Sequence, residues 1–204
     1  MVKILQVEDN MQHKRHSVLG VVLVVALALG AAWFVLSKKD AEQNNFAVQS
    51  VYAMNESKPI KLEVPSIGID AQVVELGLNP DMTVEIPKRG EEVGWYKHSQ
   101  TPGEIGPSVL IGHLDWNGGK GVFYDLNKLE TGNTFRVTRE DGSVAVFVVE
   151  DKEEYSQFDF PTDKVYGKLA KPGIRLVTCS GKFLGDADRY SHNLVIYASL
   201  IQGK

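Results

Sequence analysis

The stretch "GIRLVTCSGK", Gly173–Lys182, contains the only cysteine of this 204-residue chain, Cys179, at the point where an apolar strand gives way to Ser-Gly. A single thiol can form neither an intramolecular disulfide nor a multi-thiolate zinc site. It is therefore either a reactive group or buried filler, since a free cysteine often packs as a small apolar residue. Its position alone favours filler, so the surrounding sequence has to decide.

The chain after Lys58 consists of short strand-forming runs separated by turn residues. The runs are IKLEV (60–64), AQVVEL (71–76), PSVLIGH (107–113), TFRVTRE (134–140), SVAVFVVED (143–151), IRLVTC (174–179) and NLVIYASL (193–200). Asp141-Gly142 predicts a hairpin turn, and short helical turns are expected only within residues 121–132 and 161–170. Many short strands in one domain of about 145 residues predict an all-β fold, a closed or nearly closed β-barrel.

An uncharged apolar segment, VLGVVLVVALALGAAWFVL, occupies residues 18–36 between two basic pairs. As a helix it would span about 28 Å, close to the thickness of a bilayer's hydrocarbon core, which predicts a transmembrane anchor. A cleaved signal peptide is the alternative, but its apolar region would be shorter and would end in small residues. Because basic pairs flank both ends, charge leaves the orientation open. Residues 1–17 are then a tail, the polar residues 37–58 a flexible tether, and residues 59–204 the folded domain.

The overall charge excludes some classes of partner. A formal net charge of −4 and a pI near 5.8 give no basic footprint, so no nucleic acid partner is expected. No loop carries the alternating carboxylates of a calcium site, and the acidic pairs at 91–92 and 153–154 are interpreted as solvated faces. We therefore expect neither a metal nor another cofactor.

A reactive thiol needs a basic neighbour, usually histidine, in a partly open site. His113 ends a strand-like run and enters a Gly-rich loop, as Cys179 does, and strand ends beside loops commonly carry function. A core histidine that donates to a backbone carbonyl is the alternative. The other histidines precede the apolar segment, lie in a turn-rich loop or come just before the last strand: His13, His16, His98 and His192.

Acyl transfer also requires a group that stabilises the negative charge developing on the carbonyl oxygen. Arg189, shortly before the final strand, is a candidate because its guanidinium stays charged and can donate two parallel hydrogen bonds. The alternative is a solvated loop arginine that pairs with Asp186 or Asp188.

These candidates lie in motifs that together resemble the sortases, the membrane-anchored cysteine transpeptidases of Gram-positive bacteria. LVTCSG resembles the family's cysteine motif, the Gly-His at the end of an earlier strand resembles its histidine motif, and an arginine lies near the last strand. The segments VPSIGIDAQV, VGWY, PGEIGPSVLIGHLDW, GVFYDLNKL and RYSHNLVIYA resemble the class F branch. The resemblance covers residues 59–204.

The resemblance implies an eight-stranded β-barrel with short helices, outside the cell, behind a single-pass anchor whose amino terminus is cytoplasmic. Cys179 would attack the threonine carbonyl of an LPxTG-like sorting signal on a secreted protein and form a thioacyl enzyme. His113 would protonate the leaving amine, and Arg189 would hold the oxyanion. An amine of a cell-wall precursor or of another protein would then resolve the thioester.

Some assignments near the thiol stay open. In several sortases the arginine immediately precedes the final strand, where this chain has Asn193, whereas class F proteins carry it a few residues earlier, which favours Arg189. Arg175 is a less favoured substitute. Thr178 is expected to face away from the site because neighbouring strand residues point in opposite directions. Asp115 is expected either to orient His113 or to form a turn.

Other functions are also consistent with parts of the sequence. Pilus-building class C sortases usually carry an amino-terminal lid and a second membrane helix, and this chain shows neither pattern, which favours a cell-wall or specialised transpeptidase. A secreted Cys-His peptidase or amidase would use the same residues with water as the acceptor. A tethered, non-enzymatic binding domain would leave Cys179 as filler.

Overall fold

The computed structural model describes residues 53–187 and 189–203, and nearly all of this part of the chain is β-structure or short connections. Its strands are β1 (Pro59–Val64), β2 (Ile69–Leu76), β3 (Val93–Tyr96), β4 (Gly106–Gly112), β5 (Asp115–Trp116), β6 (Gly119–Lys120), β7 (Thr134–Arg139), β8 (Val144–Ser156), β9 (Pro172–Leu184) and β10 (Arg189–Gly203). The single α-helix of the described residues is α1 (Thr162–Tyr166), and single 3-10 turns lie at Pro65–Ile67, Leu126–Lys128, Gln157–Asp159 and Gly185–Ala187.

Eight strands close into a barrel in the order β1-β2-β3-β4-β9-β10-β8-β7, and β5 and β6 form a separate small hairpin. The prediction of an eight-stranded barrel with short helices is confirmed. The seven strand-forming runs all lie in barrel strands, and the two expected helical segments contain a 3-10 turn and α1. Strand β3 and the β5–β6 hairpin were not predicted, because two to four residues are too few to show alternation.

Alternation along the strands fills the barrel interior. In β7, and in β8 as far as Val149, every second side chain is buried, and Phe135 and Phe147, which are directly paired, stack with ring centroids 5.6 Å apart. The Asp141-Gly142 turn joins these strands as predicted: Gly142 has a φ of +82°, and the Arg139 amide donates to the Ser143 carbonyl at 2.9 Å. Glycine suits this left-handed conformation because it has no Cβ.

Strand β4, the first half of β9 and the middle of β10 are buried on both faces. Their inner face packs into the barrel core, and their outer face carries a second apolar cluster that α1 helps to cover through Val165. This outer cluster contains Val109, Val165, Val177, Val195 and Tyr197. Because β4 and β9 are parallel, burial of both faces is the expected arrangement and gives near-continuous apolar runs such as IRLV.

The segment 53–58 lies against the barrel rather than apart from it. Met54 packs on the core and its amide donates to the Gly103 carbonyl at 2.8 Å. The buried guanidinium of Arg139, 1 % exposed, donates to the carbonyls of Asn55 and Ser57. The end of the predicted tether is therefore held on the domain by hydrogen bonds to its main chain.

The predicted tail (1–17), membrane anchor (18–36) and first part of the tether (37–52) lie outside the described residues. Within 53–187 and 189–203 no helix has the length and apolarity that a membrane crossing requires. The domain boundaries stay a prediction.

Replacing Arg139 should loosen the amino-terminal segment. Arg139→Met removes the donor to two carbonyls, and we expect the free energy of unfolding to fall by about 1.5–3 kcal/mol, the usual cost of losing hydrogen bonds from a charged group. The measurement is urea unfolding of the full-length chain in a mild detergent. Arg136→Met is the control, because Arg136 is 52 % exposed in its ion pair with Glu63 and should cost less than about 1 kcal/mol. Equal losses in the two variants would contradict the role of Arg139.

Candidate active site

The parallel pairing of β4 with β9 determines where the site forms. Its register is constant from Gly106–Pro172 to Ile111–Val177, and paired residues of neighbouring strands project to the same face. Two residues further along the chain come His113, just past the end of β4, and Cys179, inside β9. The expectation that Cys179 ends its strand is wrong, because β9 continues through Ser180 and Gly181 to Leu184. The Thr178 hydroxyl donates to the Gly112 carbonyl at 2.8 Å and links the end of β4 to β9. The histidine and the thiol are therefore brought to the same region of the barrel.

His113 and Cys179 line one groove of about 430 Å³. One wall is apolar and comes from the outer cluster and α1, with Phe160, Tyr166 and Val177. The opposite wall is the segment between β2 and β3, residues 82–87. Asn193 also lines the groove, and Cys179 itself is half-buried. The structure thus places the predicted nucleophile and base together, whereas their catalytic roles stay predictions.

A backbone carbonyl orients His113. Its Nε2 lies 2.8 Å from the carbonyl oxygen of Pro87, and a carbonyl oxygen can only accept, so Nε2 carries the hydrogen. The neutral ring therefore keeps the lone pair of Nδ1 for a proton. The Trp116 ring packs against the imidazole with centroids 4.6 Å apart. In the predicted role of His113 as a base, the Pro87 carbonyl would take the place of the third group that orients the base in a catalytic triad. Sequence reasoning missed it, because a main-chain acceptor leaves no residue signature.

The loop after His113 folds back under the histidine. The Phe123 amide donates to the His113 carbonyl at 2.9 Å, and the Gly121 amide donates to the Leu114 carbonyl at 3.0 Å. Gly121 passes so close that a Cβ on it would lie 2.3 Å from the His113 carbonyl oxygen. Such a contact is sterically impossible without a shift of the His113 backbone.

The surroundings of Cys179 favour the neutral thiol. Burial raises the pKa of Cys179, and the nearby negative charge of Asp115 raises it further. Asp115 accepts a hydrogen bond from the Tyr190 hydroxyl, which raises the pKa of Tyr190 to about 12. Asp115 thus lies in β5 and bonds to β10 rather than orienting His113. A neutral thiol needs a nearby base to accept its proton, and His113 lines the same groove.

Arg189 lies at the far end of the β9–β10 hairpin. It pairs with Leu184, five residues beyond Cys179, and it is exposed, with its guanidinium carbon 4.9 Å from the centroid of the Phe158 ring. It lines neither of the two cavities that Cys179 lines. The predicted set of three side chains is therefore brought together only in part.

The other residues considered near the thiol are also located. Asn193 is paired directly with Cys179 across β9 and β10. Arg175 is buried beneath Tyr197, with its guanidinium carbon 4.7 Å from that ring, below the groove. The Thr178 hydroxyl donates to the Gly112 carbonyl between β4 and β9, and Thr178 is also among the residues that line the groove. Among the described residues, no group of His, Cys, Asp or Glu is arranged to hold a metal ion.

A model of the Sortase domain family matches residues 62–201 of this sequence. No curated protein sequence matches the chain significantly. Solved structures with similar folds include sortase C-1 from Actinomyces oris, 21 % identical, with a TM-score of 0.54 over 71 % of this chain and 76 % of that one. Sortase A from Corynebacterium diphtheriae is 19 % identical, with a TM-score of 0.54 over 72 % of this chain and 62 % of its own.

Sortase C1 from Streptococcus suis is 18 % identical, with a TM-score of 0.54 over 83 % of this chain and 85 % of that one. At these identities the likeness concerns the fold. The three structures carry class C and class A names, so the resemblance to class F stays a prediction.

Gly121→Ala should displace His113 and slow catalysis. The added methyl group would overlap the His113 carbonyl, and a displacement of about 1 Å at a catalytic group can cost about a hundredfold in rate. The measurement is kcat for transfer of a peptide acyl group to an amine. Gly119→Ala is the matched control in the same loop, because its Cβ would meet only the Trp116 carbonyl oxygen at 3.5 Å. A normal kcat in Gly121→Ala would show that the loop does not position the histidine.

Removing the charge of Asp115 should make the thiol easier to ionise. Asp115→Asn keeps an acceptor for Tyr190 but removes the negative charge that raises the pKa of Cys179. We expect the pH profile of Cys179 alkylation by iodoacetamide to move to lower pH. Asp125→Asn, on the neighbouring loop, is the control and should leave the profile in place. A profile that moves to higher pH in Asp115→Asn would contradict this electrostatic account.

Proposed function

Because the chain belongs to the sortase family and is a cysteine transpeptidase, we propose that it cleaves an LPxTG-like sorting signal on secreted proteins and joins them to an amine acceptor of the cell wall. The observation that supports this proposal is that Cys179 and His113 line one groove, with His113 directly after the end of β4 and Cys179 within the neighbouring strand β9. A buried, inert cysteine would not share an open groove with an oriented histidine.

In the first half-reaction His113 Nδ1 takes the proton of the Cys179 thiol as the sulfur attacks the threonine carbonyl carbon. The carbonyl π electrons move to the oxygen and form a tetrahedral intermediate. When this collapses, the peptide C–N bond breaks and the departing amine takes the proton back from Nδ1. The product is a thioester on Cys179 and a released peptide with a free amino terminus.

In the second half-reaction an acceptor amine attacks the thioester carbon. His113 removes a proton from the attacking nitrogen, the C–S bond breaks, and the sulfur regains that proton. A new amide bond has then formed and the enzyme has returned to its starting state. The predicted oxyanion role of Arg189 stays a prediction, and it requires the guanidinium to leave the ring of Phe158.

The walls of the groove support an apolar peptide as its occupant. Val177, Phe160 and Tyr166 on one side and Met82 and Ile86 on the other give apolar contacts to a leucine or proline side chain. Met82 and Ile86 are 73 % and 62 % exposed, so a bound peptide would remove apolar area from water.

Sortase-family membership also supports association with the cell envelope. We propose that the apolar segment 18–36 is the single-pass anchor, with a cytoplasmic amino terminus and residues 59–204 outside. We also propose that the chain belongs to class F of the family. This finer assignment rests on the sequence segments that resemble that branch.

The proposal predicts peptide ligation that depends on the thiol and the imidazole. The full-length chain in detergent is incubated with an LPxTG-type peptide and either oligoglycine or a diamino acid, and the products are identified by mass. Cys179→Ala and His113→Ala should each lower ligation by about a thousandfold or more, since both act as one unit. His98→Ala, whose ring packs on Tyr96 away from the groove, is the matched control.

Two outcomes would contradict the proposal. Ligation that survives Cys179→Ala would exclude a thioacyl intermediate. Release of hydrolysed peptide at the same rate with and without added amine would identify a peptidase or amidase instead of a transpeptidase.

A further inference from the structure

We propose that the carboxamide of Asn193 is the hydrogen-bond donor to the oxyanion, and that Arg189 does not fill this role. The inference rests on the acyl-transfer step of the proposed function. It adds a catalytic residue on the side of the thiol opposite His113, and the residue is neutral rather than cationic.

The pairing of three neighbouring strands carries the inference. Across β4, β9 and β10 the residues on the outer face form successive rows: Val109–Arg175–Tyr197, then Ile111–Val177–Val195. In the next row Cys179 and Asn193 are directly paired, and His113, one residue past the end of β4, lines the same groove as both. The thiol thus lies between the imidazole and the carboxamide, and directly opposed antiparallel residues have Cβ atoms about 4.5–5.5 Å apart.

The Asn193 carboxamide is available for a ligand. It is half-buried and lines the same groove as Cys179 and His113. A side-chain amide has two N–H donors. A substrate oxygen beside the sulfur could accept a hydrogen bond from one of them.

Arg189 does not meet the same geometric requirement. Its partner Leu184 is five residues from Cys179, which is about 16 Å along a strand at about 3.3 Å per residue. That separation exceeds the length of an arginine side chain, and the guanidinium points to Phe158, which follows β8 on the other edge of β10. Asn193, by contrast, is paired directly with Cys179.

The chemistry of the step fits a neutral donor. As the sulfur attacks, electrons move to the carbonyl oxygen, and an Asn193 N–H donates a hydrogen bond to it without giving up its proton. The donor acts on the charge that develops in the transition state and leaves the resting thiol unchanged. This agrees with a Cys179 whose pKa is raised by burial and by Asp115, with no cation opposite it in the paired row.

Two reactions of Cys179 separate an oxyanion donor from a structural residue. Acylation of the full-length protein by p-nitrophenyl acetate passes through a tetrahedral oxyanion, whereas alkylation by iodoacetamide displaces iodide and forms none. Both rates are measured at a pH where the alkylation rate has reached its plateau. We expect Asn193→Ala to lower acylation by about a hundredfold, the usual cost of one oxyanion donor, and to leave alkylation unchanged. Arg189→Ala should change neither rate.

Asn193→Asp gives a second, distinct signature. It preserves size but replaces the N–H donors with a negative charge, so acylation should fall further than in Asn193→Ala. The pH profile of alkylation should also move upward, because the carboxylate opposes ionisation of the thiol.

Three outcomes would overturn the inference: wild-type acylation in Asn193→Ala, an equal fall in acylation and alkylation, or a selective loss of acylation in Arg189→Ala instead. Complete absence of acylation in the unaltered protein would also refute it. A failure of the sorting-signal proposal looks different, since peptide ligation would be absent while ester acylation still required Asn193.

Discussion

The parallel pairing of β4 with β9 is the constraint on which the site depends. Its constant register, continued by the hydrogen bond from Thr178 to the Gly112 carbonyl, brings His113 beside Cys179 although 66 positions separate them along the chain. Antiparallel pairing of β9 with β10 then adds Asn193 to the same row. A shift of the register by one residue would turn each of these side chains to the opposite face. The backbone hydrogen bonds of the barrel therefore determine which side chains lie together in the groove.

Burial of the same strands on both faces explains the state of the thiol. β9 enters the groove from a region packed inside by the core and outside by the second apolar cluster, so Cys179 is half-buried and its pKa is raised. In such surroundings a thiolate is unfavourable at rest, and the reaction needs the proton to leave as the sulfur attacks. The orientation of His113 by the Pro87 carbonyl meets that need, because it directs the hydrogen to Nε2 and leaves Nδ1 to accept.

The sequence was sufficient to predict the barrel and to single out Cys179 and His113, which line one groove. The strand runs were long enough to show alternation. His113 directly follows the end of β4, as expected, whereas Cys179 was expected at the end of a strand and lies inside β9, which continues to Leu184. The position of Arg189 could not be derived in this way, since its distance from the thiol depends on the register of a hairpin that closes far from Cys179. Asn193 attracted notice only because it occupies the position where several sortases carry an arginine. Its proximity follows from strand pairing, which local sequence patterns do not specify.

Three of the contacts that hold the site end on main-chain oxygens: His113 on Pro87, Thr178 on Gly112, and the Phe123 amide on His113. These bonds require the donor groups and the course of the backbone. They do not require a particular side chain at the acceptor residue, because every residue has a main-chain carbonyl. The sensitive positions are those that hold the backbone in place, since an acceptor carbonyl moves only if the backbone moves. Gly121, packed against the His113 carbonyl, is the residue through which the loop keeps that backbone in place.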